Sequence, residues 1–294
     1  NDGILNGTEL DGNVDVQIDL PAGVEAGDTV NVTDGTTTTP IVITPTDITN
    51  GNVTTSFTPP AEGEIITVTA TITDIAGNIG PSTTDSALID TTAPTTTVNI
   101  DSISDDSGVV GDFITNDNDG LTVGATLSAA LVAGEALMYS NDNGANWSDI
   151  TSSVTATAVS YDDANLTSTN TVQMKVVDLA GNDGAVDTQL VTIAFTGPNN
   201  LITITSITDD TGSSSSDFVT NDNNGLTVAA TLTNTLDTGA GEKLMYSNDN
   251  GVTWIDITSS VTATAVSYDD ANLTSTATVK MKVVDVSDND GPVA

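Results

Sequence analysis

Cysteine, histidine and arginine are all missing from this chain of 294 residues, and lysine occurs four times only, at Lys175, Lys243, Lys280 and Lys282. Without cysteine or histidine there is no disulfide framework, no Ser–His–Asp or Cys–His nucleophile system and no ordinary zinc site. Against the four lysines stand 41 Asp and Glu, which leaves a net charge of −37. Phosphate recognition needs matching positive charge, so nucleic acid and anionic membrane are excluded as partners. Aromatic residues make up 3% of the chain, and no apolar run approaches the roughly 20 residues needed to span a bilayer as a helix.

Threonine, by contrast, occurs 53 times, and the apolar residues are mainly Val, Ile, Leu and Ala. Branched side chains fit a pleated surface, so this composition favours strands. The length allows two or three domains of about 100–200 residues each.

An internal repeat settles the organisation. The 21 letters DITSSVTATAVSYDDANLTST begin at 149 and again at 256, 107 positions apart. YSNDNG (139–144, 246–251) and MKVVD (174–178, 281–285) recur at the same offset, and the stretch 104–123 matches 208–228 with small insertions. A more distant copy fills the first ninety residues. There ITDIAGNIG (72–80) parallels VVDLAGNDG (176–184) and VVDVSDNDG (283–291). The Pro-containing connectors DTTAP (90–94) and TGPNN (196–200) divide the chain into 1–94, 95–198 and 199–294.

Each copy reads as short alternating strands between turn residues. Residues 64–74, 171–178 and 278–285 alternate apolar and polar positions. NDNG at 141–144 and 248–251 is a hairpin signal, because Asn and Gly tolerate positive φ. No segment has a convincing helical period, although 161–168 is long enough for one helical turn. About seven strands per hundred residues predicts an all-β chain of three tandem immunoglobulin-like Greek-key sandwiches arranged as an extended rod. The register places a first strand near 96–102 and a last strand near 186–194 in the second domain. The first domain is expected to begin inside its A–B loop without strand A, and the third to stop after its F–G loop without strand G. The sequence is therefore expected to be a segment of something longer.

The turns Asp74-Ile75-Ala76-Gly77-Asn78 and Asp178-Leu179-Ala180-Gly181-Asn182, the DTTAP connector and the DFITNDNDGLTV stretch resemble the tandem bacterial Ig-like repeats of RTX-type, type I-secreted biofilm and surface adhesins. The likeness spans nearly the whole chain. It departs at Asp288, which stands where the second domain has Gly181, and the glycine-rich nonapeptide calcium repeats of such adhesins are absent. The resemblance implies a secreted, calcium-dependent extender at the bacterial cell surface, whose partners are neighbouring repeats of the same longer protein.

The residues themselves also raise calcium. In an Ig topology the A–B loop of one domain should meet the F–G loop of the next. That would bring Asp105, Asp106, Asp117 and Asp119 toward Asp285, Asp288 and Asp290, and Asp2, Glu9 and Asp11 toward Asp90, Asp178 and Asp183. Two like charges about 4 Å apart repel by roughly 4 kcal/mol at an effective dielectric of about 20. The lysines are expected on F and C strands away from these junctions. Ca²⁺, which takes 6–8 oxygens in irregular geometry, is the natural counterion. The competing view is that these carboxylates cap turns and face solvent. DNDG at 117–120 lacks the spacing and flanking helices of an EF-hand.

Two further motifs are weighed. Ser247–Trp254 fits the Asp-box pattern S-x-D-x-G-x-T-W, and Ser140–Trp147 fits except for Asn146. Two copies 107 residues apart are too far for successive propeller blades, so the motif is read as a hairpin brace. Trp147, Trp254, Tyr139, Tyr246, Phe113 and Phe218 are read as core rather than as a sugar-stacking platform. The pairs Asp162–Asp163 and Asp269–Asp270 lie inside a repeated segment with no sign of a cleft, so glycosidase chemistry is not expected. The function expected is non-catalytic extension. The alternatives are a carbohydrate-binding module, or a subunit of a surface filament or lattice that self-associates by filling open strand slots.

Overall fold

The computed structural model describes residues 2–294 and is almost wholly β. In the first domain, β1 (Ile4–Leu5), β2 (Val14–Asp19), β3 (Thr29–Thr33), β4 (Thr38–Val42), β5 (Asn52–Phe57), β6 (Ile65–Thr73) and β7 (Thr83–Ile89) form two sheets. One has the order β1-β7-β6-β3-β4, and the other is the pair β2-β5. Their inner faces enclose Val30, Val32, Ile43, Val53, Phe57 and Ile66.

The second domain holds β8 (Val98–Ile103), β9 (Ile114–Thr115), β10 (Leu121–Leu127), β11 (Ala136–Ser140), β12 (Ser148–Asp149), β13 (Val154–Thr155), β14 (Ala158–Asp163), β15 (Asn170–Val177) and β16 (Asp187–Ile193). Its sheets run β13-β14-β10-β8 and β12-β11-β15-β16-β9. The third holds β17 (Ile202–Ile207), β18 (Leu226–Leu232), β19 (Lys243–Ser247), β20 (Ile255–Asp256), β21 (Val261–Thr262), β22 (Ala265–Asp270) and β23 (Lys280–Val284), in sheets β17-β18-β22-β21 and β20-β19-β23. These are immunoglobulin-like sandwiches, as the alternating pattern predicts. On the central strands inward residues are buried and alternate with more exposed outward ones: β10 buries Leu121, Val123, Ala125 and Leu127. Each large apolar side chain so buried contributes about 1.5–3 kcal/mol.

The strands expected at 64–74, 171–178 and 278–285 are β6, β15 and β23. The NDNG turns also form, with Asn143 and Asn250 at φ 58° and 66°. Residues 161–168 make no helical turn: β14 runs to Asp163 and a loop follows. The helix that does exist, α1 (Pro45–Asn50), escaped the periodicity reading because it is short and has no buried residue. Its signal is local. Thr44 accepts from Asp47 N, Asp47 accepts from Thr44 N, and Pro45 occupies the first turn.

In the first and second domains a short strand lies parallel to the last strand, β1 on β7 and β9 on β16. Before each stands a left-handed residue, Gly3 at φ 86° and Phe113 at φ 60°. Phe218 takes the same φ of 60°, but residues 218–220 form no strand, and β23 has five residues where β15 has eight. No strand like β16 flanks β23 among the described residues; on that side Gly291 N donates to the Val283 carbonyl and Ala294 exchanges main-chain hydrogen bonds with Met281. Phe218 is 46% exposed, against 8% for Phe113.

Candidate functional site

The A–B loop of each domain meets the F–G turn of the next, and one asparagine organises each meeting. In the turn after β15, Asp178 accepts from the main-chain N–H of Asn182 (2.8 Å) and from its side-chain amide (2.9 Å). So braced, the Asn182 amide donates to the carbonyl of Asp90, just beyond β7 (2.8 Å), and its oxygen accepts from Gly7 N (3.1 Å). Asn6 returns the contact, donating from Nδ2 to the carbonyl of Ala180 at 2.8 Å. The second junction repeats the device. Asp285 accepts from Asn289 N and Nδ2 (both 2.9 Å), and Asn289 Nδ2 donates to the carbonyl of Ala194, just beyond β16, at 2.7 Å. Ser107 Oγ donates to the carbonyl of Ser287 at 2.8 Å.

Close packing accompanies these bonds. A Cβ on Gly108 would lie 1.9 Å from the Val286 carbonyl oxygen, and one on Gly197 would lie 2.3 Å from that of Asp290. Ser287 and Asn200 are buried, and Asn200 Oδ1 accepts from Asn234 N. At the first junction the connector is tied to its own domain: Glu62 accepts from Thr91 N, Thr92 N and Thr91 Oγ1. These bonds, led by the Thr91 hydroxyl, hold the Glu62 carboxyl down to about 2.

The acidic residues expected to crowd these junctions are distributed otherwise. Asp178 and Asp285 are the braces just described. Asp183 is ion-paired to Lys175 (2.7 Å) and Asp290 to Lys282 (2.5 Å). The expectation that these lysines lie out of reach is therefore wrong: each stands on the F strand beside the returning chain, and its long stem reaches the carboxylate eight positions on. Each ammonium also sits over an indole, Lys175 over Trp147 (4.3 Å) and Lys282 over Trp254 (4.5 Å). Asp2 accepts from Ile4 N and Glu9 from Asn6 N, inside their own loop. Asp11 is exposed, and Asp288 adopts the left-handed conformation at φ 63° that Gly181 takes in the second domain. Aspartate tolerates it, which is why the turn survives the change.

Uncompensated charge does remain in two places. Burial first, then the charges of Asp178 and Glu62, raise the Asp90 carboxyl above its ordinary range. Asp105, Asp117 and Asp119 share the 105–119 loop. Hydrogen bonding to the Asp117 carboxylate, followed by repulsion from Asp117 and Asp105, raises Asp119. In the same loop Asp106 Oδ2 accepts from Gly111 N while Oδ1 is buried with no hydrogen-bond partner, and Asp210 repeats this in the third domain. Among the described residues no group of three or more carboxylates is drawn together tightly enough to hold a metal ion.

The remaining motifs are structural. Asp249 accepts from Thr253 N, Thr253 Oγ1 and Ser247 Oγ, and Gly251 N donates to Ser247 Oγ. Asp142 is held likewise by Asn146 and Ser140, which keep its carboxyl near 2. Tyr139 and Tyr246 are core, as expected, each donating its hydroxyl to a buried carboxylate, Asp163 and Asp270 (both 3.0 Å). Trp147 and Trp254 are not core. They are half-buried lids between the turn glycine and a lysine. Asp162 faces outward and accepts from Thr122, so each Asp–Asp pair is split between two faces of its strand. No helix among the described residues is long and apolar enough to cross a membrane.

Sequence reasoning passed over Asn182, Asn289 and Asn6. The signal was present: asparagine follows aspartate by four positions at Asp74–Asn78, Asp178–Asn182 and Asp285–Asn289, even where the intervening glycine is lost.

No family model matches the chain, and no curated protein does. Among solved structures, the chain is similar to one of a 1.5-MDa bacterial ice-binding adhesin, studied for host cell surface retention, at 19% identity and a TM-score of 0.37, covering 99% of this chain and 91% of that one. It is similar also to the fibronectin(III)-like modules of Clostridium thermocellum CbhA (12% identity, TM-score 0.43, 65% of this chain and 87% of that). A third is the chicken CNTN1 FN1–FN3 structure (11% identity, TM-score 0.36, 96% of this chain and 93% of that).

Proposed function

We propose that this chain is a non-catalytic extender of a large bacterial surface adhesin, whose domains are held in sequence by fixed junctions. The observation that carries the reading is the repeated bond from a braced F–G asparagine to the carbonyl just beyond the previous domain's last strand, Asn182 to Asp90 and Asn289 to Ala194. A connector that merely linked independent modules would not need it twice. The carboxylate pairs that would suit an enzyme are committed to tyrosine and threonine, and the indoles that would suit a sugar site are covered by lysine. Extracellular placement at a bacterial surface rests on the net charge of −37 and on the repeat resemblance.

Calcium belongs to the same proposal. The partnerless Asp106 Oδ1 and the mutual repulsion of Asp105, Asp117 and Asp119 are what support a cation in this loop. These oxygens suit a hard cation, and the loop would have to tighten to give the 6–8 oxygens calcium takes. The cation would stiffen the loop that packs on Val286 and Ser287. Small-angle scattering with millimolar calcium and then with chelator, at matched ionic strength, tests this. A distance distribution that broadens and shortens on chelation supports calcium. Identical narrow curves leave the asparagine junctions as the stiffener without calcium, and broad curves in both conditions defeat the extender reading.

A further inference from the structure

Asparagine is followed by glycine at five positions, Asn6, Asn50, Asn143, Asn224 and Asn250. This pair is open to a main-chain reaction of asparagine, because glycine has no Cβ to shield its nitrogen. The reaction begins when the glycine N–H gives up its proton and the nitrogen attacks the asparagine Cγ. A hydrogen bond donated by that N–H holds the proton and points the nitrogen elsewhere. Four of the five glycines are held in this way. Gly7 N donates to Asn182 Oδ1 (3.1 Å), Gly51 N to the Asp47 carbonyl (2.8 Å), Gly144 N to Ser140 Oγ (2.9 Å) and Gly251 N to Ser247 Oγ (2.8 Å).

Gly225 is the exception. It lies just before β18, and its N–H donates to no group among the described residues. Asn224 is exposed, and its side-chain amide has no partner among them either; its main-chain N–H donates to Asp222 Oδ1 at 3.1 Å. The counterpart in the second domain is Asp119-Gly120, since NDNNGLTV at 221–228 matches NDNDGLTV at 116–123. The two loops share their geometry. Asp119 N donates to Asp117 Oδ1 at 3.0 Å, and Gly120 and Gly225 have φ of 110° and 103°. A Cβ on either glycine would meet an alanine Cα, Ala164 at 2.7 Å or Ala271 at 2.8 Å. These contacts explain the glycine and leave its neighbour free to be an amide or a carboxylate. Asp119 is exposed like Asn224 although β16 completes its sandwich, so the exposure of Asn224 belongs to the loop itself. In the second domain the contacts with the next sandwich are made by Ser107 and Gly108, earlier in the loop.

We propose that Asn224 is a site of spontaneous deamidation, which turns the third domain's loop into the acidic loop of the second. Gly225 N bonds to the Asn224 Cγ, and Nδ2 leaves as ammonia. The cyclic imide then takes up one water. Breaking the bond from nitrogen to Cγ leaves aspartate, the residue that the second domain carries at 119. Breaking the bond from nitrogen to the main-chain carbonyl carbon leaves isoaspartate, with one more methylene in the main chain. Nothing is oxidised or reduced. Either product adds one negative charge near Asp222, as Asp119 stands beside Asp117. The inference is independent of the extender reading and of calcium.

The test incubates the full chain, folded and in denaturant, at one mildly alkaline pH, then cuts after lysine and maps the fragments by mass spectrometry. Fragment 176–243 holds Asn224 as its one Asn-Gly pair, whereas 1–175 holds three and 244–280 holds one. In the folded chain Asn224 should convert roughly 10-fold faster than each of the other four, the rate equivalent of one hydrogen bond kept on the attacking nitrogen. In denaturant the five rates should converge. Aspartate and isoaspartate should appear together, as the imide route requires, and Asn224→Gln should stop the reaction, because its ring would need a sixth member. Asn224→Asp should keep the β-sheet circular dichroism of the parent, since the second domain folds with aspartate there. Conversion of Asn224 no faster than that of Asn50 or Asn143 in the folded chain would overturn the proposal, and so would aspartate formed without isoaspartate.

Discussion

The side-chain amide of Asn182 donates to the main-chain carbonyl of Asp90 at 2.8 Å, across the boundary between two sandwiches. Neither residue belongs to a strand. The aspartate brace makes the bond specific: Asp178 fixes the rotamer, so little further side-chain entropy is lost when the amide meets its acceptor. The first junction then has an exchange of bonds, with Gly7 N and Asn6 Nδ2 closing the set.

Replacing Asn182 by alanine removes two hydrogen bonds across the junction and one of the two that Asp178 accepts from this residue, the main-chain N–H remaining. At about 0.5–1.5 kcal/mol per bond, the coupling between the first two domains should fall by roughly 1–3 kcal/mol while each sandwich still folds. Scattering should show a broader distance distribution, with the β-sheet circular dichroism unchanged. Asn182→Asp should do more damage, because a carboxylate would face the Asp90 carbonyl and the Asp178 charge. A variant as stiff as the parent would show that the connector alone sets the angle.

Gly108→Ala tests the second junction by overlap. The added methyl would fall 1.9 Å from a main-chain oxygen of Val286, at a φ of 76° that alanine also disfavours. Gly111→Ala is the control: it shares the positive φ, 93°, but has nothing within 4 Å. Only the first should separate the second and third domains in scattering, and both should lower the melting temperature by a few degrees.

Tyr246→Phe leaves the Asp270 carboxylate buried with one fewer donor, Asn248 Nδ2 and Asn272 N remaining. The expected loss is about 1–3 kcal/mol, read as a lower denaturant midpoint at constant slope. Tyr139→Phe should behave alike against Asp163, which Asn141 also serves. A loss in one variant and none in the other would contradict the shared architecture.

Acid should act in two opposite steps. Asp142 and Glu62 are held near 2, and Asp249 is also lowered, chiefly by hydroxyl and amide donors. The stability they supply is complete above their ordinary values of 3.8 and 4.5 and is lost as the pH falls through the lowered ones. Asp119 and Asp90 are raised, so their ionised forms oppose folding, and protonation on the way down from neutrality relieves that opposition. Thermal melts from neutral pH to pH 2 should therefore rise slightly to a maximum near roughly pH 4–5 and then fall. Asp249→Asn should flatten the acid limb, and a monotonic decline from neutral pH would count against the raised pair.

The repeat, the strand periods and the NDNG turns were legible because they depend on neighbours in sequence. Alternation with period two needs one buried face and one wet one, and Asn and Gly accommodate the positive φ of a tight turn wherever the chain goes next. The scarcity of cationic residues argued against phosphate-bearing partners by counting alone. What counting could not show was which carboxylate each lysine would reach. Lys175 and Asp183 are eight apart in sequence and meet only because the chain reverses between them.

Phe113 and Phe218 mark the boundary between the two kinds of knowledge. Both sit in the same D-F-[IV]-T-N-D-N stretch, and both adopt φ 60°. One is buried beside β16 and the other is exposed, because burial depends on whether a strand distant in sequence lies alongside. Asn78, Asn182 and Asn289 divide in the same way. Their sequence spacing fixes the brace within each turn, a local hydrogen bond over four residues. Only the placement of one sandwich on the next decides that Asn182 and Asn289 find a carbonyl, and that Asn78 presents its amide to solvent.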